Sequence, residues 1–335
     1  MRDALLSSCV STTATDTLNP SRYDGVPLTG TPNKFLTMSD VVITAQPASV
    51  IAQSGGTPLT VTASGPGLLY QWYEVNPTFD YATYKKGAGE GASTKIAGAT
   101  AGTYTVAPSA SRRAFWARVL SLCGSADTNI AVVVPVPSAP TGVGATATGT
   151  SVTVTWNAAN GADAYQVQRK IAGQTWTVAG EVSSPALTYT ETPSAPEGMV
   201  VYRVVTTAGA AYLPPGTIAM SAPSNNDFAN VRGYTDDPLT LTTIQAQHLI
   251  ELRQAVNALC HAVDATNEYQ PAELSLSALQ NALIQAGDFT SLLAHINHIR
   301  TDAAIGAPPA NFTETPVANL EIKKEHLQNL RDALR

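Results

Sequence analysis

The residues able to do chemistry are few, and most of them sit at one end of the chain. All five histidines, His248, His261, His295, His298 and His326, follow residue 240. Three open copies of one short pattern: His248-Leu-Ile-Glu-Leu-Arg253, His295-Ile-Asn-His-Ile-Arg300 and His326-Leu-Gln-Asn-Leu-Arg331 share the form His-apolar-x-x-apolar-Arg. Three imidazoles on neighbouring helices could converge on a metal ion. However, no carboxylate recurs with them to orient the rings, and the copies are unequally spaced. The preferred reading is structural, with each His and Arg bonding to nearby loops or carbonyls. The apolar positions, three apart, face one core, and the His and Arg, five apart, are expected on flanking faces. The three cysteines, Cys9, Cys123 and Cys260, have no metal-ligand spacing, and an odd count leaves no complete disulfide set. Asp236-Asp237 could hold calcium, but it lacks the alternating ligands of a calcium loop and reads as a turn or helix cap. No nucleophile elbow, phosphate-binding glycine loop, Cys-x-x-Cys pair or His-Glu-x-x-His helix occurs. No enzyme and no cofactor is expected; a site assembled across the helical region is the enzymatic alternative.

Binding chemistry is better represented. Phe79-Asp-Tyr-Ala-Thr-Tyr-Lys-Lys86 places Phe79, Tyr81 and Tyr84 beside Lys85 and Lys86 in a Gly-rich insertion. Aromatic faces stack on sugar rings or dock a neighbouring subunit, and loops at sandwich ends often carry binding. Such an insertion also packs on its own domain, and that alternative stays open. Ala208-Gly-Ala-Ala-Tyr-Leu-Pro-Pro-Gly216 is a second apolar loop, with Tyr212 and Leu213 as candidate partner contacts.

The elements that must position these residues fall into four stretches. The chain has 335 residues, enough for two or three domains. Only 13% are charged, against about 25% in typical soluble proteins. A net charge of -6 with no basic stripe argues against nucleic acid as a partner. No apolar run approaches the roughly 20 residues that span a bilayer. Residues 1–40, rich in Thr, Ser, Asn and Pro, read as an extended N-terminal arm. Residues 41–136 hold successive strand candidates: Val41–Thr44, Leu59–Ala63, Leu69–Tyr73, Gly102–Val106, Phe115–Val119 and Ile130–Val134. Pro135-Val-Pro-Ser-Ala-Pro140 is a stiff hinge, since each proline holds its φ near one value. Residues 137–231 repeat the β pattern in Ser151–Trp156, Ala164–Arg169 and Val201–Val205, each expected to be half-buried by alternation. Residues 232–335 change to helical spacing: Leu249, Leu252, Val256 and Leu259; Leu276, Leu279, Leu283 and Ile284; Leu292, Leu293, Ile296 and Ile299; Ile322, Leu327, Leu330 and Leu334.

Two resemblances follow from these residues. Pro140-Thr-Gly-Val, Val152, Val154, Trp156, Tyr165, Val167, Tyr202 and Ser221-Ala-Pro-Ser-Asn225 together resemble a fibronectin type III domain. Gln46-Pro47, Tyr70-Gln-Trp-Tyr73, Ile96-Ala-Gly-Ala-Thr100 and the Phe115–Gly124 run resemble an immunoglobulin-like domain of bacterial surface proteins. That resemblance implies Trp72 as the core tryptophan and places the bridge positions on Val61 and Ala117, so apolar packing replaces the usual disulfide. Phe115 stands at the tyrosine-corner position. The His/Arg copies are similar to a repeat that follows such modules in large exported bacterial proteins. Leu6-Ser-Ser-Cys9 is similar to a bacterial lipoprotein cleavage site, but only Ala4–Leu6 stands where a longer apolar run belongs, so a chance match is expected.

The expected architecture is mainly β: two tandem β-sandwiches, immunoglobulin-like and fibronectin III-like, plus a small C-terminal α-helical domain. Trp72, Val61, Ala117, Trp156 and Tyr202 are the expected core. The implied role is a structural subunit of an extracellular bacterial filament, sheath or surface layer, with adhesion as a further role. Its first partner would be other copies of itself, joined head to tail through the arm, most of all through 34–43 or 5–13, with an arm folded back along its own two sandwiches as the alternative. A surface glycan or another surface protein is the further partner, and a secreted carbohydrate-binding accessory protein is the alternative.

Overall fold

The computed structural model describes residues 10–11, 37–38, 41–76, 92–121, 124–237, 244–263, 285–305, 311–313 and 322–334. Among the described residues the chain is mainly β, with two sandwiches followed by three helices. It divides into two compact units, Met1–Val136 with Gly209–Ala219, and Pro137–Ala208 with Met220–Arg335.

In the first unit, β1 (Val10–Ser11) pairs antiparallel with β2 (Thr37–Met38). The two stretches of the arm expected to reach another copy therefore meet each other over these residues. The sandwich proper comprises β3 (Val42–Ala45), β4 (Val50–Ile51), β5 (Thr57–Thr60), β6 (Thr62–Ser64), β7 (Leu69–Val75), β8 (Ser93–Lys95), β9 (Thr103–Val106), β10 (Arg113–Ser121), β11 (Gly124–Asp127) and β12 (Ala131–Val134). One sheet runs β4-β12-β10-β7-β8, with β11 also on β10. The other layer holds the pairs β3-β6 and β5-β9, joined at Val61, whose N–H donates to Gly102 O at 2.9 Å. Leu59, Val61 and Val106 meet Trp72, Phe115, Ala117 and Val119 in one core. Trp72 and Ala117 are cross-strand partners, both fully buried. The indole N–H of Trp72 donates to Ala101 O at 2.9 Å, so the large ring enters the core with no polar atom stranded.

The second unit begins with β13 (Thr141–Thr148), β14 (Ser151–Asn157), β15 (Ala164–Ile171), β16 (Thr177–Ser183), β17 (Thr188–Glu191) and β18 (Met199–Ala208). After β18 come β19 (Ala219–Met220) and β20 (Asp227–Asn230). Strands β13-β14-β17 form one sheet, and β16-β15-β18-β19 form the facing one, with β20 also on β18. Strands β19 and β20 thus act as two pieces of one edge strand. Val152, Val154 and Trp156 point inward and meet Tyr165, Val167, Val200, Tyr202 and Val204. This three-on-four layering is of the fibronectin type III kind.

Pro223 cannot donate to a ladder, and between β19 and β20 side chains take over its role. Ser221 Oγ accepts the Thr206 N–H and Ser224 Oγ accepts the Val204 N–H, each at 2.9 Å. Asn225 copies a peptide group toward β13, accepting from Val143 N and donating to Val143 O. Thr128 repeats the device in the first unit, where its hydroxyl accepts the Ala117 N–H at 2.9 Å between β11 and β12.

The helices are α1 (Ala246–Val263), α2 (Ala286–Asp302) and α3 (Lys324–Ala333). Their apolar stripes share one core with Met199 and Val201 of β18 and Phe228 of β20. This changes the expectation for Val201–Val205. Strand β18 is not half-buried: its inner face meets the opposite sheet and its outer face meets the helices, which is why its apolar run is nearly continuous. Lys170 of β15 closes the layer by donating to the last carbonyl of α1, Val263 O, at 2.8 Å. The expected helical stretch Leu276–Ile284 lies outside the described residues, as do Cys9 and Cys123. Cys260 is buried in the helical core.

Candidate functional site

The His/Arg copies form a dense polar constellation among the described residues. Gln245 N donates to His248 Nδ1 at 3.3 Å, and Lys323 N donates to His326 Nδ1 at 3.1 Å. Each histidine thus sits in the first turn of its helix and caps the backbone just before it. In α2 that place belongs to Asp288, whose Oδ2 accepts Gln285 N at 2.8 Å. His295 lies two turns further on, donating from Nδ1 to Ser291 O at 2.8 Å.

The arginines lock the helices in a ring. Arg253 of α1 donates to Asp288 at the start of α2, at 2.8 Å. Arg300 of α2 donates to Ala333 O at the end of α3, at 3.0 Å. Arg331 of α3 returns to the segment before α1, donating to Thr235 O at 2.8 Å and Asp236 O at 3.0 Å, with Glu251 at 3.6 Å. These side chains are not on open flanking faces: His248, His326, Arg253 and Arg331 are all buried. Both flanks of the stripe are covered, so a pair five residues apart finds protein on either side. Burial, then the nearby Arg331 charge, lowers the His248 pKa, with Glu251 and Asp236 opposing. A neutral imidazole suits its role as a lone-pair acceptor. Asp236 sits in a turn at φ 54° and uses its carbonyl on Arg331. Among the described residues no group of three or more His, Cys, Asp or Glu side chains is arranged to hold a metal.

The expected binding residues have different fates. Phe79, Tyr81, Tyr84, Lys85 and Lys86 lie outside the described residues. Tyr212 and Leu213 belong to the first unit. Leu213 is buried, and the Arg112 guanidinium lies 4.7 Å from the centre of the Tyr212 ring. These two serve the chain's own packing rather than presenting a free loop. Gly209 explains why the segment fits: its φ is +86°, and a Cβ there would come within 2.8 Å of Val134 Cγ1 and 2.9 Å of Leu213 Cδ1.

The outer face of β7 and β10 carries an array that the sequence reading overlooked. Tyr73 and Trp116, cross-strand partners, stack with ring centres 4.3 Å apart and planes 7° apart. Arg118 lies 5.4 Å from the Trp116 ring and is held by Asp127 at 2.8 Å. Further along the same face Leu69 and Leu120 are paired in register, 66% and 37% exposed. The signal was present in the two-residue spacing of Leu69, Gln71, Tyr73 and of Trp116, Arg118, Leu120, the positions opposite to the core set.

No protein-family model matches this chain, and no curated protein matches it. Among solved structures it is similar to the FN1–FN3 domains of chicken CNTN1, at 15% identity over 59% of this chain and 68% of that one, with a TM-score of 0.33. It is also similar to an Fn3-like protein from Clostridium thermocellum, at 27% identity over 28% of this chain and 93% of that one, with a TM-score of 0.22. A two-domain fibronectin type III segment of chicken tenascin matches at 14% identity over 57% of this chain and 97% of that one, with a TM-score of 0.29. With scores this low, the description as tandem fibronectin III-like sandwiches rests on the strand order and cores given above. Among the described residues no helix is long and apolar enough to cross a membrane.

Proposed function

We propose that the chain is a structural subunit displayed outside a bacterial cell, part of a filament, sheath or surface layer whose copies join head to tail. The observation that carries this reading is the Leu69–Leu120 pair. Outward positions of a solvated sheet face are mostly polar, yet here two leucines are paired in register on that face. The Gln71–Arg118 rung separates them from the stacked Tyr73 and buried Trp116. The receiving surface is a different one. Strand β16 is the edge of its sheet and leaves Val178 52% exposed, so it offers both backbone groups and apolar area. A patch that meets a different patch on the next copy makes an open chain, unless its rotation closes a ring, rather than a two-fold pair. Sparse surface charge reduces repulsion between the copies.

Native sizing and negative-stain imaging of the purified chain test this. The wild type is expected as particles far above monomer mass. Leu69→Ser with Leu120→Ser, and separately Val178→Lys, should each give a folded monomer. A wild type that stays monomeric at every concentration, or polymers that survive both changes, would refute the reading.

A further inference from the structure

The second unit also holds a cleft of about 370 Å³ between the segment after β20 and one flank of α1, a size at the small end of ligand sites. Its helical wall is a polar stripe, Gln247, Glu251 and Gln254, spaced four and three residues apart on α1. Glu197, Asn230, Arg232 and Tyr234 supply the rest. Some of these groups are already committed. Glu251 accepts the Thr235 N–H at 3.1 Å and Gln247 Nε2 at 3.3 Å, and stands 3.6 Å from Arg331. Glu197 gives one oxygen to His261 Nδ1 at 2.8 Å. Asn230 gives its Oδ1 to Arg232 N at 3.1 Å. The other Glu197 oxygen, the Asn230 amide nitrogen, the Gln254 amide and the Arg232 guanidinium have no hydrogen-bond partner among the described residues.

We propose that this cleft binds a neutral saccharide of one or two sugar rings, whether or not the chain polymerises. The uncommitted groups are a mixture of planar donors and acceptors, which suits hydroxyls that both donate and accept. Tyr234 also lines the cleft; Arg331 covers one face of its ring at 4.9 Å from the centre, and what remains of its aromatic surface can meet C–H groups of a sugar. The charges argue against the rival ligands. A divalent cation would want carboxylates, but Glu251 is saturated and Glu197 half used. An anion would meet Arg232 together with both glutamates.

The test is saturation-transfer NMR and calorimetric titration of the full chain with the methyl glycosides of glucose, galactose, mannose and N-acetylglucosamine. Inorganic phosphate and calcium chloride are separate titrants. At least one glycoside should bind, and Arg232→Ala with Gln254→Ala should weaken it by roughly tenfold or more with the melting temperature unaltered. Should that variant melt early, Gln254→Glu keeps the side-chain size, removes its donor, and should weaken binding in the same direction. The proposal is overturned by no transfer to any of the four glycosides, by undiminished binding in the variants, or by binding of phosphate or calcium alone.

Discussion

Replacing Arg331 by methionine should cost the helical layer about 3 kcal/mol, at the low end of what breaking a buried charge network removes. The guanidinium is fully buried and makes two charge-assisted bonds, to Thr235 O and Asp236 O. Such bonds contribute about 1.5–3 kcal/mol each, or roughly 3–6 kcal/mol for the pair. Methionine keeps most of the apolar stem, so little volume is lost, but two carbonyls and Glu251 lose their cation. Desolvation pulls the figure down: burial is the leading cause of the lowered Arg331 pKa, with Glu251 the largest opposing one. The native arginine therefore already bears a penalty that methionine avoids. Urea unfolding followed by far-UV ellipticity reads this layer directly, because all three described helices lie in the second unit. Arg331→Lys should fall between the two, keeping charge without the fork. A loss below about 1 kcal/mol, or a gain, would show that desolvation cancels the bonds and that the arginine is tolerated rather than stabilising.

Trp72→Ala should destabilise the first unit by about 3–5 kcal/mol in urea or thermal unfolding, the usual result of deleting a large core aromatic. Reducing agent should leave the same transition where it was, since Val61 and Ala117 fill that core with apolar side chains and no thiol. Ser224→Ala should strand the Val204 N–H and cost about 1–3 kcal/mol, seen as faster hydrogen exchange at that amide; unchanged exchange would remove Ser224 from the ladder. The lowered His248 pKa sets a pH dependence. A base whose folded pKa lies below its unfolded value contributes fully above about pH 6.5 and less as pH falls from there. The urea midpoint of the helical signal should therefore drop between about pH 7 and pH 5, and the drop should be smaller in His248→Gln. A wild-type midpoint that is flat or rises would contradict the assignment.

Much of the β architecture could be read because one face of each strand is a core face. Val152, Val154 and Trp156 alternate with Thr153 and Thr155, and the structure buries the first set and exposes the second. Trp72 and its neighbours could be read for the same reason. What stayed hidden depends on contacts far apart in sequence. Nothing local tells Val201 that helices made later will cover its outer side, nor Arg331 that Thr235 and Asp236 await its donors. Alternation rules also fail where a strand is interrupted and serines stand in for peptide groups, as between Ser221 and Ser224. The saccharide cleft was illegible because Arg232 and Gln254 belong to separate elements and neither sits in a motif. The Leu69–Leu120 pair, by contrast, lay in the open: the same spacing that marks the inner row marks the outer one.

The outer face of β18 and β20 has a consequence for how the protein is made. Met199, Val201 and Phe228 share their core mainly with helices that follow them in the chain, Trp176 of the sandwich adding to it. A polypeptide leaving the ribosome completes β20 with those three side chains still facing water. At synthesis rates of about 5–20 residues per second, the interval from Phe228 to Leu334 is roughly 5–20 s. Throughout it the nascent sandwich carries an adhesive patch, open to wrong partners or to a chaperone. Leu334, which follows the last turn of α3, is among the residues that cover it.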